Sequence, residues 1–289
     1  LNAALDVAEG EYLAFVPATS YYGPEALSHA ISELDGSGED LYSMKPAFVV
    51  PGSDTVYPLH PMTPSFDGYL DGMAEPREVQ IVLSASVIRS ACMKGEHFRE
   101  DMASEAMMEM YLRLIMGHNG EFIYNSADNG YLYTAALEND MMAYQSAKEE
   151  WWYTHAVEDL WLPYMEEVKQ KYNGNMPLYL QNIFYYLISC RYMINLQDRD
   201  KFVLNPETAI AFHEVCKKAM QYFDERVIMR RKLPGLKVGH PMRMVFFKDR
   251  LQEGGAFVET GYDALQMFYT SRDGAGKDIK KYGVGRFAK

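Results

Sequence analysis

Cysteine, basic charge and long apolar runs are all scarce in this sequence. Its 289 residues include three cysteines without CxxC spacing, which is typical of a protein in a reducing cytosol. No apolar run reaches the roughly 18–20 residues that a membrane-spanning helix needs. The net charge of −12 leaves no broad basic surface for nucleic acid or anionic lipid, although a small basic pocket for a phosphate stays compatible with it.

Metal-binding motifs are missing as well. The seven histidines are scattered, and none stands in an HExxH or other paired spacing, so we expect no histidine-based metal site. The cysteines are Cys92, Cys190 and Cys216. Their separation along the chain predicts buried, small apolar side chains rather than a zinc site.

The first 135 residues alternate short strand and helix patterns. The predicted strands are 11–16, 41–50, 78–84 and 121–124, and the predicted helices are 24–34 and 103–120. Pro24 stands in the first turn of its helix, where the missing N–H costs nothing. Residues 51–72 contain four prolines and three glycines, which predicts a long loop of the kind that is often functional.

The next part of the chain has a helical pattern. Three long helices are predicted at about 140–172, 177–196 and 206–231, and aromatic residues crowd the first two. An aromatic stripe at helical spacing predicts a core, whereas an exposed row of rings would favour stacking on sugars. From about residue 237 the pattern returns to short strands.

Residues 2–27 resemble the centre of family 2 glycosyltransferases, which have the GT-A fold. The family pattern is an Asn, small and apolar residues, Gly-Glu-Tyr, a buried strand, an Asp-rich turn and a Pro-acidic-Ala-Leu helix start. The matching residues are Asn2, Ala4, Leu5, Ala8, Gly10, Glu11, Tyr12, Phe15, Pro24, Glu25, Ala26 and Leu27. Residues 87–115 resemble the acceptor-side segment of the same family. Residues 176–187 and 219–228 resemble the helical extension of bacterial members that build capsule or teichoic-type polymers.

The resemblance implies an α/β fold in three parts. Residues 1–135 would form a partial GT-A-like mixed sheet with flanking helices, on the acceptor side of the enzyme. Residues 136–232 would form the helical extension, and residues 233–289 a small β-rich tail. The family's nucleotide-binding half would then lie upstream of Leu1, as a partner domain.

The family's metal-binding residues are replaced in this chain. In the family, an Asp-rich turn holds Mg²⁺ or Mn²⁺, which neutralises the departing diphosphate. The turn here is Pro17-Ala18-Thr19-Ser20, which offers no carboxylate. We therefore expect no metal in this turn and no cofactor in this chain. A nucleotide-sugar donor with Mg²⁺ or Mn²⁺ is expected only if an upstream half completes the site.

The family's catalytic base is also replaced. That base is the Asp of a Glu-Asp pair, which reads Glu105-Ala106 here. Glu105 is the candidate base if catalysis survives, because the start of a helix stabilises an ionised carboxylate. The alternative is a helix-start acid with a structural role. The candidate substrate-binding residues are Asn2, Thr19, Ser20, Glu100 and Asp101.

Two functions remain open on these residues. The first is a degenerate or incomplete glycosyltransferase-like protein of bacterial surface polysaccharide synthesis. The second is a non-catalytic module that binds carbohydrate or a partner enzyme on the same scaffold. The expected ligand is a carbohydrate acceptor or a nucleotide-sugar. The resemblance implies a cytoplasmic location, with peripheral association at the inner face of the membrane left open.

Overall fold

The computed structural model describes residues 1–49, 52, 56–58, 68–76, 80–125, 130–134, 146–197 and 204–228. The chain divides into two compact units, Leu1–Gln145 and Ser146–Lys289. The three-part division of the sequence at 135 and 232 stays a prediction, and the predicted tail 233–289 lies outside the described residues. Among the helices that are described, none combines the length and the apolar character that crossing a bilayer requires.

The first unit contains two mixed sheets. The strands are β1 (Tyr12–Ala14), β2 (Ser20–Tyr22), β3 (Leu41–Met44), β4 (Pro46–Val49), β5 (Val56–Pro58), β6 (Gly68–Asp71), β7 (Ser86–Arg89), β8 (Glu121–Asn125) and β9 (Tyr131–Tyr133). One sheet has the order β1-β7-β3-β8-β6, and the other has the order β2-β9-β4-β5. The pairs β3–β8 and β4–β9 are parallel, and the remaining pairs are antiparallel.

Helices flank these sheets. They are α1 (Asn2–Leu5), α2 (Ala26–Ser37) and α3 (Ala106–Gly117), together with 3-10 turns at Leu83–Ala85, Ser90–Met93 and Glu100–Glu105. Ala30 and Leu34 lie one turn apart on α2, and both are fully buried against β3 and β7. Gly38 ends α2 in the left-handed conformation at φ 77°, which glycine adopts without a steric penalty.

The pattern of α3 follows the predicted spacing. Met110, Tyr111, Leu114 and Ile115 are all buried. The Tyr111 hydroxyl lies 2.8 Å from the Ser43 hydroxyl, which in turn lies 2.9 Å from Ser86. These buried hydrogen bonds connect α3 to β3 and β7 and satisfy polar groups that would be costly to bury alone. They fix the helix that begins beside Glu105.

Pro24, predicted in the first turn of its helix, lies before α2, whose N-cap is Glu25. Two further predicted segments of the first unit differ from the structure. Residues 51–72 were predicted to be a loop, but they contain β5 and β6, which pair with β4 and β8. The predicted strand 78–84 gives way to the 3-10 turn Leu83–Ala85, and the strand follows at β7. Pairing partners far along the chain decide both outcomes, because β propensity is weak compared with the pairing context.

The second unit is helical over its described residues. The helices are α4 (Glu150–Tyr153), a π-helical turn at Ala156–Trp161, α5 (Leu162–Lys171), α6 (Leu178–Gln197), α7 (Pro206–Ala219) and α8 (Glu225–Ile228), with a 3-10 turn at Met220–Tyr222. Asn205 caps α7, since its side chain accepts a hydrogen bond from the Thr208 N–H. The predicted helix 140–172 is divided into α4, the π-helical turn and α5. Its residues 140–145 lie outside the described residues.

The aromatic rings of the second unit mostly form its core. The buried ones include Trp152, Trp161, Tyr179, Phe184, Tyr185 and Tyr186. Trp161 and Phe184 meet edge to face with ring centroids 6.0 Å apart. Arg191 is buried, stacks over Trp152 at 4.4 Å and donates to the Trp152 carbonyl at 3.0 Å. Trp151, at 38% exposed, is an exception.

Candidate functional site

The turn formed by residues 17–20 is held by hydrogen bonds within it and to Thr134, which follows β9. The Ser20 N–H donates to the Pro17 carbonyl at 3.0 Å. The Thr19 carbonyl accepts from the Thr134 N–H at 2.7 Å and from the Thr134 hydroxyl at 2.9 Å. These bonds continue the pairing of β2 with β9, so the turn is held in place by the second sheet.

Ser20 begins β2, which pairs with β9, and its side-chain hydroxyl is buried without a hydrogen-bond partner among the described residues. The neighbouring Tyr22 hydroxyl donates to the Ser84 carbonyl at 2.8 Å, and its ring meets Tyr131 edge to face. Burial raises the pKa of Tyr131. The backbone of the turn and the aromatic side chains of β2 are therefore engaged, whereas within the described part of the chain the Ser20 hydroxyl is not.

A divalent metal does not fit this turn. Pro17 and Ala18 have no side-chain ligand, and the Thr19 carbonyl already accepts two hydrogen bonds. The remaining donors are neutral hydroxyls, whereas Mg²⁺ and related hard ions are held by carboxylates. No step of a mechanism is therefore derived through a metal at residues 17–20.

The side chain of Asn2 forms two hydrogen bonds with the backbone of Phe98, which we call the Asn2 clamp. Its side-chain amide donates to the Phe98 carbonyl at 3.0 Å, and its oxygen accepts from the Phe98 N–H at 2.7 Å. The same amide nitrogen lies 3.5 Å from a Glu100 carboxylate oxygen. Phe98 is buried and meets Phe15 edge to face at 5.1 Å. The structure thus brings two of the predicted residues, Asn2 and Glu100, into contact.

Asp101 lies beside Glu100 and is held by its own neighbour. Arg99 forms a bidentate pair with Asp101, with N–O distances of 3.1 and 2.8 Å. This hydrogen bonding from Arg99 lowers the pKa of Asp101. Both Glu100 and Asp101 are exposed, so this edge of the unit presents two carboxylates to solvent.

Glu105 occupies the start of α3, as predicted, but it is buried. It is the N-cap of the helix, and only 4% of the residue is exposed. A general base must come within hydrogen-bond distance of the substrate hydroxyl, so this arrangement requires a local movement before Glu105 could act.

Arg113 links α3 to residues 96 and 97, and no motif in the sequence indicates this role. Its guanidinium donates to Glu109 at 2.7 Å and to the His97 carbonyl at 2.6 Å, and it also pairs with Glu96. Glu109 is fully buried. The (i, i+4) spacing of Glu109 and Arg113 was the available sequence signal. The contact with residues 96 and 97 depends on the tertiary fold.

An open cleft of about 420 Å³ adjoins this region. It is lined by the last residue of α1, by the residues that follow it and by the segment from Ser90 to His97, and its polar lining includes Asp6, Glu9, Ser90, Lys94 and His97. The His97 and Asp6 side chains lie 2.9 Å apart at its edge. This size is within the range of small-molecule sites, and the polar lining suits a hydroxyl-rich ligand.

The first unit therefore has the architecture that the sequence predicted: a mixed α/β fold of the GT-A-like type, with helices on the sheets. No protein-family model matches the chain, and no curated protein matches its sequence significantly. Among solved structures, it is similar to residues 1–349 of S. aureus TarS. That crystal structure has a TM-score of 0.56 and 15% identity, and the match covers 94% of this chain and 70% of that chain.

Two ligand complexes of the same S. aureus protein are also similar. The complex with UDP has a TM-score of 0.51 and 16% identity, and the complex with UDP-GlcNAc has 0.54 and 17%. Each covers 94% of this chain, and 70% and 71% of TarS 1–349, respectively. At these identities the likeness shows the fold alone, and it confirms the predicted GT-A-like class.

Proposed function

We propose that this chain is a glycosyltransferase-like protein of bacterial surface polysaccharide synthesis that, once a nucleotide-binding half completes the site, binds a nucleotide-sugar without a metal ion at residues 17–20. The observation that carries the proposal is the turn itself. It stands where the family resemblance requires metal-binding acids, it offers no carboxylate, and its Pro17 and Thr19 carbonyls already accept hydrogen bonds from Ser20 and Thr134. The scaffold is kept while the metal chemistry is lost.

Three observations support the choice of ligand. The similar S. aureus structure was determined with UDP-GlcNAc. The segments 176–187 and 219–228 resemble those of bacterial members that build capsule or teichoic-type polymers. The exposed carboxylates of Glu100 and Asp101, which lie beside the hydrogen bonds between Asn2 and Phe98, have oxygens that can accept hydrogen bonds from sugar hydroxyls. In this proposal the protein acts in the cytoplasm, at the inner face of the membrane.

A second function, a non-catalytic module that binds carbohydrate or a partner enzyme, is favoured by one observation. Glu105 is the candidate base, and only 4% of it is exposed. A carboxylate buried in this way can stabilise the start of α3 without touching a substrate. The aromatic helices give this alternative little support, because most of their rings are buried in the core of the second unit.

The proposal is tested by calorimetric titration of the full chain with UDP-GlcNAc in the presence of Mn²⁺. We expect binding in which Thr19→Ala leaves the affinity within about twofold, because the Thr19 side chain holds no metal. Ser28→Ala, which removes an exposed hydroxyl on α2, is the matched control. Micromolar binding that requires Mn²⁺ and is abolished by Thr19→Ala would contradict the proposal.

A further inference from the structure

Three potential metal ligands meet at one point of the first unit, away from residues 17–20 in the sequence. They are the Asp40 carboxylate, the Cys92 thiol and the His118 imidazole. One ligand atom of each lies within 4.8 Å of the others, and all three residues are partly exposed. Asp40 directly precedes β3, Cys92 lies in the 3-10 turn after β7, and His118 is the C-cap of α3.

We propose that Asp40, Cys92 and His118 form a binding site for a thiolate-preferring divalent transition metal of the zinc class. Zinc is held by this combination of thiolate, imidazole and carboxylate ligands. Hard ions such as Mg²⁺ prefer oxygen ligands alone, so they are disfavoured here. With three protein ligands, the fourth position of a tetrahedral ion stays open to water or another ligand.

The distances allow an ion to be held with small side-chain movements. The centre of an equilateral triangle with 4.8 Å sides lies 4.8/√3, or about 2.8 Å, from each corner. Zinc bonds are about 2.0–2.3 Å long for these ligand types, so each donor atom needs to move inward by about 0.5–0.8 Å. Because 4.8 Å is the upper limit of the separations, this movement is also an upper limit. All three residues are partly exposed, and rotation of their side chains is the movement that would bring the donor atoms inward.

The charges around the site also suit a divalent cation. Burial and the neighbouring Asp40 raise the pKa of the Cys92 thiol to about 11, so a bound ion has to displace its proton. The resulting thiolate and the Asp40 carboxylate then balance the two positive charges of the ion. Arg89 is the cation nearby: its guanidinium lies 3.2 Å from one Asp40 oxygen and 3.4 Å from Glu11. Glu11 offsets the charge of Arg89, and the second Asp40 oxygen can serve the metal.

The position of His118 also favours the binding of a cation. It lies at the carboxyl end of α3, where the partial negative charge of the helix favours a cation. Its backbone N–H is bound to the carbonyls of Leu114 and Ile115 at 3.1 and 3.2 Å, which fixes the base of the side chain. A bound ion would therefore link the end of α3 to the segments beside β3 and β7.

The site is tested with Co²⁺, whose bond to a thiolate gives a charge-transfer absorption band in the near ultraviolet. We expect the purified full chain to show this band at one Co²⁺ per chain and to lose it when Zn²⁺ is added in equal amount. Cys92→Ser should abolish the band, and His118→Gln should weaken Zn²⁺ binding by at least about 10²-fold. Cys190→Ser, which removes a thiol from the other unit, is the matched control and should keep the band.

Folding of the variants is monitored by their melting temperatures without metal. Zn²⁺ should raise the melting temperature of the native chain and of Cys190→Ser, and it should leave that of Cys92→Ser unchanged. Absence of the band in the folded native chain, or its survival in folded Cys92→Ser, would overturn the proposal. These measurements use no nucleotide-sugar, so their outcome is independent of the proposed function.

Discussion

Replacing Arg113 by Met is expected to destabilise the first unit strongly. The guanidinium pairs with Glu109, which has a fully buried side chain, and with Glu96, and it donates to the His97 carbonyl. Methionine keeps most of the apolar stem but removes the charge and every N–H donor. The Glu109 carboxylate then loses the guanidinium in a place that water does not reach.

The expected loss of unfolding free energy follows from the burial of the Arg113 and Glu109 side chains. Removing one partner of a buried ion pair costs about 3–5 kcal/mol. The Arg113 side chain is 27% exposed, whereas Glu109 is at 0%, so we expect the lower end of that range, about 3 kcal/mol. For a folding unit of this size, that loss corresponds to a fall in melting temperature of roughly 6–12 °C.

The assay is urea and thermal unfolding of the full chain, followed by circular dichroism. A double-mutant cycle of Arg113→Met with Glu109→Gln should give a coupling energy of about 1–3 kcal/mol, since a neutral amide no longer suffers from the missing cation. Arg226→Met is the matched control, because Arg226 makes a bidentate pair with Asp224 at the surface, and it should cause no measurable change.

Two results would refute this reasoning. A loss below about 1 kcal/mol for Arg113→Met would mean that the buried carboxylate does not depend on the guanidinium. Additive effects in the double mutant would mean that the two side chains act independently. The segment that carries Phe98 would then be held by the Asn2 clamp and by its own packing.

Three further predictions concern the candidate site and the helical unit. If turnover of UDP-GlcNAc is detected, Glu105→Gln should lower it by about 10²-fold; unchanged turnover with a lower melting temperature would leave Glu105 as a helix-start acid. Arg99→Gln should return the pKa of Asp101 upward to its ordinary range in a carbon-detected NMR titration. The folding stability that the lowered pKa adds at pH values above that range should then be lost, and an unmoved pKa would contradict the bidentate pair. Trp152→Ala should cost about 3–5 kcal/mol of unfolding free energy because its ring is buried. Trp151→Ala should cost far less, and equal losses would contradict the core assignment.

The sequence predicted those parts of the first unit in which local pattern and tertiary packing agree. The apolar spacing of α3 gave a helix whose Met110, Tyr111, Leu114 and Ile115 are buried. The strand 11–16 appears as β1, and 41–50 appears as β3 and β4. In these segments the apolar residues that indicate a helix or strand in the sequence are also the residues that are buried against neighbouring elements.

Two strands of the second sheet, β2 and β9, could not be predicted in the same way. The strands β2 and β9 have three residues each, and three residues carry too little periodicity for a pattern. They form because distant segments meet, as where Gly130 approaches Met44 so closely that an added Cβ would lie 2.9 Å from the Met44 Cβ. No local signal indicates that contact.

The candidate site was likewise predictable from the sequence only in part. The loss of acids at residues 17–20 was visible in the sequence, and two of the five candidate substrate-binding residues, Asn2 and Glu100, lie in contact, although no sequence signal paired them. The burial of Glu105 was not visible, because a helix-start acid is usually exposed. The grouping of Asp40, Cys92 and His118 depends on three turns that are far apart along the chain, so no spacing rule could find it.

The most direct test of the central claim is the affinity for UDP-GlcNAc measured by calorimetry in Mg²⁺ and again in EDTA. Mg²⁺ is chosen because a thiolate-containing site disfavours it. The account predicts saturable binding with dissociation constants that agree within about twofold in the two buffers, since residues 17–20 hold no metal ligand. Binding that occurs in Mg²⁺ and disappears in EDTA would contradict it.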